Sequence, residues 1–337
     1  MSERVRIGVV GAGRMGSIHA RLIVRDVHQA RLAGIADLNV HAARHLASEL
    51  GDPPVFRSLD DMLAAGGIDA VLIATSSNGH LDAIRAAAAA GRDILCEKPI
   101  ALTLADTDAA IAAADAAGVR LQVGFMRRWD PDYARAKARL ASGALGRPML
   151  FKSLQFDAEP PPVAFAHPAV SGGIMVDMGI HEFDLARWLM DDEVVEVHAY
   201  GSSVAHPSLA TVSDVDSAVV NLRFAGGTTG TVELARNTTY GEDVRTEILA
   251  TAGSVWVGHL PISYGAWSGR AAGGVAADLA DATVPRFEGA YAAQTRGFAQ
   301  AILGDRPVDV PGAAGAAALA IAIAADRSMR ERRPVAV

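Results

Sequence analysis

Asp177 and His181 stand four residues apart in Gly172-Gly173-Ile174-Met175-Val176-Asp177-Met178-Gly179-Ile180-His181. On one helix that spacing puts both side chains on the same face. Histidine is the side chain best placed to accept a proton near neutral pH. Its neighbours here are two glycines, Met175, Met178 and Ile180, surroundings in which an unused charge is costly. A helix-stabilising pair, or a core histidine held by a carboxylate, gives the same spacing. A third candidate is Lys98. Of the 31 basic residues three are lysines, Lys98, Lys137 and Lys152, so a retained ammonium hints at a need that a guanidinium does not meet. Lys98 lies in Cys96-Glu97-Lys98-Pro99, at the carboxyl end of an expected strand, where open parallel sheets place their ligands. A base such as histidine, together with something that stabilises the developing alkoxide, is what oxidation of an alcohol calls for.

Such a reaction also needs a hydride acceptor. Gly11-Ala12-Gly13-Arg14-Met15-Gly16 is a G-x-G-x-x-G that follows an apolar run and opens a helical pattern. Gly11 permits a tight turn, Gly13 lets backbone approach a pyrophosphate, and Gly16 lets helix pack on strand, while the helix N-terminus supplies N–H donors. Asp37 ends the second expected strand at about the 20-residue offset of the acid that binds the adenosine ribose diol. A carboxylate there repels a 2′-phosphate and favours NAD, although Arg44 is near enough in sequence to keep NADP open.

The elements that must hold these residues follow from periodicity. Val5 to Val10, Leu32 to Ala36, Ala70 to Ala74, Asp93 to Cys96 and Arg120 to Gly124 are short apolar runs separated by helical patterns at Met15 to Arg25, His41 to Leu50, Leu81 to Ala90 and Leu104 to Ala117. This alternation predicts an α/β Rossmann domain, a doubly wound parallel sheet, over residues 1–124. Beyond it the pattern changes. After a helix at Tyr133 to Leu140, strand-like segments at Met149 to Phe156, Ser217 to Phe224 and Thr229 to Leu234 alternate apolar and polar residues, and a helix contains Ile180 to Met190. Residues 125–337 therefore read as an α+β domain with an open, mainly antiparallel sheet. Ser268 to Ala282 is expected to be a loop or lid, followed by helices at Tyr291 to Ile302 and Ala313 to Met329.

Composition narrows the partners. The 337 residues carry a formal charge of −7 and no basic arm, which argues against a nucleic-acid partner. The lone cysteine, Cys96, cannot form an intramolecular disulfide and fits a reducing compartment. No signal-like apolar segment follows Met1-Ser2-Glu3-Arg4, and the stretch Pro311 to Ala325 is too short and alanine-rich to span a bilayer. The expectation is a cytoplasmic protein without a membrane partner or a metal.

The glycine fingerprint, Glu97-Lys98-Pro99 and the Asp177/His181 pair together resemble the glucose–fructose oxidoreductase/inositol dehydrogenase/rhizopine-catabolism (Gfo/Idh/MocA) family. Gln122-Val123-Gly124-Phe125-Met126-Arg127-Arg128-Trp129-Asp130, Ser171-Gly172-Gly173 and His181-Glu182-Phe183-Asp184 look most like its inositol 2-dehydrogenases. The resemblance implies NAD as cofactor, a cyclic polyol or pyranose sugar as substrate, and a dimer or tetramer built through the second domain's sheet. It implies that Lys98, Asp177 and His181 are catalytic, with His181 taking the hydroxyl proton. The cofactor-binding set is then Gly11, Gly13, Arg14, Met15, Gly16, Asp37, Thr75, Ser76, Asn78, His80, Glu97, Lys98 and Arg127. Arg127, Asp157, Tyr240 and Tyr291 join the catalytic residues in holding substrate, while Asp184 is either a substrate ligand or a structural carboxylate. Two departures bear on the substrate: Gln155-Phe156 stands where His-Arg is common, and Tyr240-Gly241-Glu242-Asp243 where Tyr-Gly-Tyr-Asp is common. Two other readings suit the same fold, an NAD-dependent glycosidase working by transient oxidation and a non-catalytic dinucleotide-sensing regulator. Intact Lys98, Asp177 and His181 argue against the second.

Overall fold

The computed structural model describes residues 4–238, 240–258 and 283–337. The loop expected at Ser268 to Ala282 lies outside the described residues. The chain divides into two compact units, one of residues up to Trp129 with Gly289–Ala317, the other of Asp130–Glu288 with Ala318–Val337.

The first unit is built on six parallel strands, β1 (Val5–Val10), β2 (Ala30–Ala36), β3 (Val55–Phe56), β4 (Ala70–Ile73), β5 (Asp93–Cys96) and β6 (Leu121–Val123). They lie in the order β3-β2-β1-β4-β5-β6. Strand order reverses between β1 and β4, so the loops after these strands flank the crevice in which doubly wound sheets bind nucleotides. The strands are short and mainly apolar because helices cover both faces. Ile7, Val9, Leu72 and Leu95 share a core with Ala20 and Ile23 of the helix Arg14–Asp26. Phe298 and Ala299 complete it from the late helix Thr283–Leu303. The two-residue β3 and the helix Leu59–Ala65, capped by the Ser58 hydroxyl accepting from the Asp61 N–H, are too short to show as periodicity.

In the second unit seven strands, β7 (Pro148–Phe156), β8 (Val194–Ser202), β9 (Ser217–Phe224), β10 (Thr229–Ala235), β11 (Asp243–Ala250), β12 (Gly253–Val257) and β13 (Val335–Ala336), form a sheet in the order β12-β11-β7-β10-β9-β8-β13. Only the β7/β10 pair is parallel among these. One face is covered by the helix Gly179–Met190, which packs on β7 and β10. Alternation along β9 follows, with Ala218, Val220, Leu222 and Phe224 buried and Val219 and Arg223 exposed. Among the described residues no helix is long and apolar enough to cross a membrane.

The fully buried Phe298 gives a test of the late helix as part of the first core. Phe298→Ala should lower stability by about 3–5 kcal/mol, whereas Leu303→Ala at the exposed end of the same helix should stay within about 0.5 kcal/mol. Urea unfolding curves measure both, and equal effects would remove Phe298 from the core.

Candidate active site

In the first unit the glycine loop has the form that a dinucleotide requires. Gly11 has φ +98°, and a Cβ there would sit 2.5 Å from the Ala74 carbonyl oxygen. At Gly16 a Cβ would fall 1.8 Å from the Gly11 carbonyl oxygen, so the helix starts directly against the end of β1. Around Gly13 the space is open, and no side chain caps the helix Arg14–Asp26 that it precedes. The first turn is thus left without a side-chain cap, as a helix start that binds an anion requires. Asp37 closes the loop, its Oδ2 accepting from the Ala12 N–H at 2.6 Å and its Oδ1 from the Asn39 N–H at 2.7 Å. These residues fit NAD: an uncapped helix start for the pyrophosphate and a fixed carboxylate for the ribose diol.

The loops after β4 and β5 are braced by two buried histidines. His80 places Nδ1 2.8 Å from the Pro99 carbonyl oxygen and Nε2 3.2 Å from that of Thr75, tying the two loops together. Ser76 and Asn78 are exposed on the first of these loops. His19, one turn beyond Gly16, places Nε2 2.7 Å from Oε1 of Glu97, and the Tyr291 ring meets the His19 ring edge-on. Glu97 Oε2 accepts from the Lys98 N–H at 3.3 Å. Gly124 leaves room for that carboxylate, since a Cβ there would lie 3.1 Å from Glu97 Oε2. Lys98 is half-buried and joined to Pro99 by a cis peptide. Arg127, in the short helix Met126–Trp129, is 2% exposed. Glu97, His80 and Tyr291, expected to meet the cofactor or substrate, thus have protein partners of their own.

In the second unit Asp177 and His181 do not share one helix, although the helix expected to contain Ile180 to Met190 is present. Asp177 ends a five-residue helix, Gly173–Asp177, and His181 lies in the first turn of Gly179–Met190. Met178 lies between them with φ −102° and ψ −56°. Gly179 lies close to β10, where a Cβ would come 3.1 Å from Leu234 Cδ1. His181 is buried, and Asp184 on the same helix is almost fully so. Asp177 retains 24% side-chain exposure, and its Oδ2 accepts from Arg236 Nη2 at 3.1 Å. Asp157, just after β7, receives the Gln155 side-chain amide on Oδ1 at 3.1 Å. The Tyr240 hydroxyl donates to Asp243 Oδ2 at 3.1 Å, and burial with the nearby carboxylate pushes its ionisation up to about 12. It stays a neutral donor at any working pH.

Residues 5–125 match the oxidoreductase family with an NAD-binding Rossmann fold, and residues 133–256 match the GFO/IDH/MocA C-terminal domain. The chain is 36% identical over 335 residues to a scyllo-inositol 2-dehydrogenase (NAD(+)) of Bacillus subtilis, covering 99% of this chain and 97% of that protein. It is 33% identical to a myo-inositol 2-dehydrogenase of Thermotoga maritima, covering 98% of both. A crystal structure of scyllo-inositol dehydrogenase from Lactobacillus casei with bound NAD(H) and scyllo-inositol superposes with TM-score 0.90 at 29% identity over 99% of each chain. The chain belongs to the GFO/IDH/MocA oxidoreductase family.

As a member of the GFO/IDH/MocA family it is an NAD-dependent oxidoreductase, which agrees with the uncapped loop and Asp37. Sequence spacing missed His19, Asp214 and Arg236. Each reaches its partner across a long chain separation, 78 residues from His19 to Glu97 and 59 from Arg236 to Asp177. The scarcity signal that marks lysine in this arginine-rich chain gives nothing for an arginine.

Burial pushes the His80 imidazole below its ordinary value, against the opposing pull of the Pro99 and Thr75 carbonyls. The folded chain therefore binds that proton less readily than the unfolded chain. The resulting stability is fully present above the unfolded value, near 6.5, and is lost as pH falls through the lower folded value. Melting temperature should fall on acidification from about pH 7 to 5, and His80→Gln should flatten that slope; an unchanged slope would contradict the assignment.

Proposed function

We propose that this protein oxidises one secondary CH–OH of a cyclic polyol of the inositol type to a ketone, with NAD as hydride acceptor. The observation that carries the reading is full-length similarity to proteins named as inositol 2-dehydrogenases, in a chain that keeps Lys98, Asp177 and His181. His181 accepts the hydroxyl proton and Asp177 orients the imidazole. Lys98 donates a hydrogen bond to the same oxygen and favours its alkoxide as the proton leaves. NAD, when bound, supplies the nicotinamide ring that takes the hydride. Gly11, Gly13, Gly16 and Asp37 hold it, with Arg14, Met15, Thr75, Ser76, Asn78 and Arg127 beside them, while His80 and Glu97 brace the loops that carry Thr75 and Lys98.

Arg127, Asp157, Tyr240 and Tyr291 supply donors and acceptors for the remaining ring hydroxyls. A site with that many polar groups rejects an analogue lacking one hydroxyl, because its own groups would be buried unpaired. Gln155 and Phe156 make the substrate side less cationic than His-Arg would, so a neutral ring compound is favoured and a pyranose is the alternative. Residues 1–124 serve NAD, and residues 125–337 serve substrate and self-association. The exposed Met149, Tyr200, Val219 and Trp256 of the second unit's sheet supply apolar surface for a cytoplasmic homotetramer.

His181→Ala should lower turnover by a factor on the order of 10² to 10⁴ while NAD binding persists. Lys98→Arg should also be damaging, since a planar guanidinium does not fit a compact ammonium site. Wild-type turnover in either variant would overturn that residue's role. Steady-state NADH formation across stereoisomeric inositols, aldopyranoses, acyclic alditols and a 2-hydroxy acid should favour a ring compound. Preference for an acyclic alditol or the hydroxy acid would overturn the substrate class, and equal efficiency with NADP would overturn the role of Asp37.

A further inference from the structure

Arg236 follows the last residue of β10, has no exposed surface, and brings three nitrogens to three different partners. Nη2 donates to Asp177 Oδ2 at 3.1 Å, Nη1 to Asp214 Oδ2 at 2.5 Å, and Nε lies 3.4 Å from the Met178 sulfur. The other oxygen of Asp214 accepts from the Ile174 N–H at 2.9 Å, inside the first turn of the helix that ends at Asp177. Gly173, with φ +69°, lets that turn approach, for a Cβ there would come 3.0 Å from Asp214 Oδ1. Arg236 is itself anchored by its N–H, which donates to the Asp216 carbonyl at 2.8 Å. One guanidinium therefore holds the C-terminal end of the short helix and the residue at which the helix breaks before His181, and reaches its first turn through Asp214.

A buried guanidinium held by two carboxylates is a costly device for stability alone, since apolar residues of similar volume often do as well. Its geometry is what apolar packing does not supply. A charge-assisted bond to Oδ2 restrains the position of one oxygen of the Asp177 carboxylate. The contact to Met178 fixes the turn that sets Asp177 against the helix of His181. Lysine offers a single nitrogen in place of this planar fork, so the arrangement is specific to arginine.

We propose that Arg236, anchored by Asp214, is the positioning residue of the Asp177/His181 pair: it commits one oxygen of Asp177 and locks the helix break, so that the pair meets the substrate hydroxyl already aligned. This rests on the catalytic reading of Asp177 and His181 given above. Misplacement by about 1 Å costs on the order of 10²-fold in rate, and the effect falls on the chemical step rather than on binding.

The test is single-turnover NADH formation by stopped flow, with full-length protein, saturating NAD and the inositol oxidised fastest by the wild type. Arg236→Gln should lower the rate constant by about 10- to 10²-fold, with the amplitude, KM and NAD dissociation constant kept within about threefold. Arg236→Lys should recover part of the loss. A wild-type rate constant in Arg236→Gln overturns the proposal, and so does a reduced amplitude at wild-type rate constant, which is the mark of a merely structural role. Should Arg236→Gln fail to fold, Asp214→Asn keeps the guanidinium but loosens its anchor. It should lower the rate constant several-fold at full amplitude, and a wild-type rate constant there overturns the proposal equally. His181→Ala run in parallel separates the two readings. A slow His181→Ala beside a fast Arg236→Gln removes the positioning role alone, whereas a fast His181→Ala removes the base on which it rests.

Discussion

A parallel sheet has to be covered on both faces, because its strands are apolar throughout and each crossover needs a helix. In this protein that requirement dictates the first unit. It makes β1, β4 and β5 short and mainly apolar, with β4 a continuous Ala-Val-Leu-Ile run, and it draws Phe298 and Ala299 back from near the end of the chain to finish the core. The candidate site residues gather at the strand ends. Gly11, Asp37, Thr75 and Lys98 all lie at or just past the carboxyl ends of their strands, where the sheet has no further side-chain layer to fill. The cofactor loop and the lysine thus follow from one packing rule.

Chemistry at those ends needs rigidity, and buried polar contacts supply it. His80 ties the loop of Thr75 to the loop of Pro99, while His19 ties the cofactor helix to Glu97 and so to the backbone of Lys98. Arg236 does the corresponding work in the second unit for Asp177. None of these contacts is a cheap source of stability, since each removes polar groups from water. What they add is direction, and loss of one partner would leave the other buried and unsatisfied.

Sequence alone determined what is local or periodic. The five main strands of the parallel sheet and the glycine turn were legible from short apolar runs and from residues that only a tight turn needs. The alternation in Ser217–Phe224 announced a sheet with one wet face. Asp37 and Lys98 were legible because their offset from the glycines, or their rarity, set them apart. Lys98, Asp177 and His181 drew their combined meaning from a resemblance spread along the whole chain.

Tertiary structure decided whatever depends on residues distant in sequence. A spacing of four shares a face only if one helix runs through Asp177 and His181, and the chain breaks at Met178, next to Gly179 close to β10 and in contact with Arg236. The return of residues 289–317 to the first unit was hidden because an alanine-rich helix can pack on any apolar face. His19, Asp214 and Arg236 carried no signal, since a buried polar residue looks like an exposed one until its partner arrives from another element. Periodicity records which face of an element is dry; it does not record which charge from elsewhere in the chain will be buried against that face.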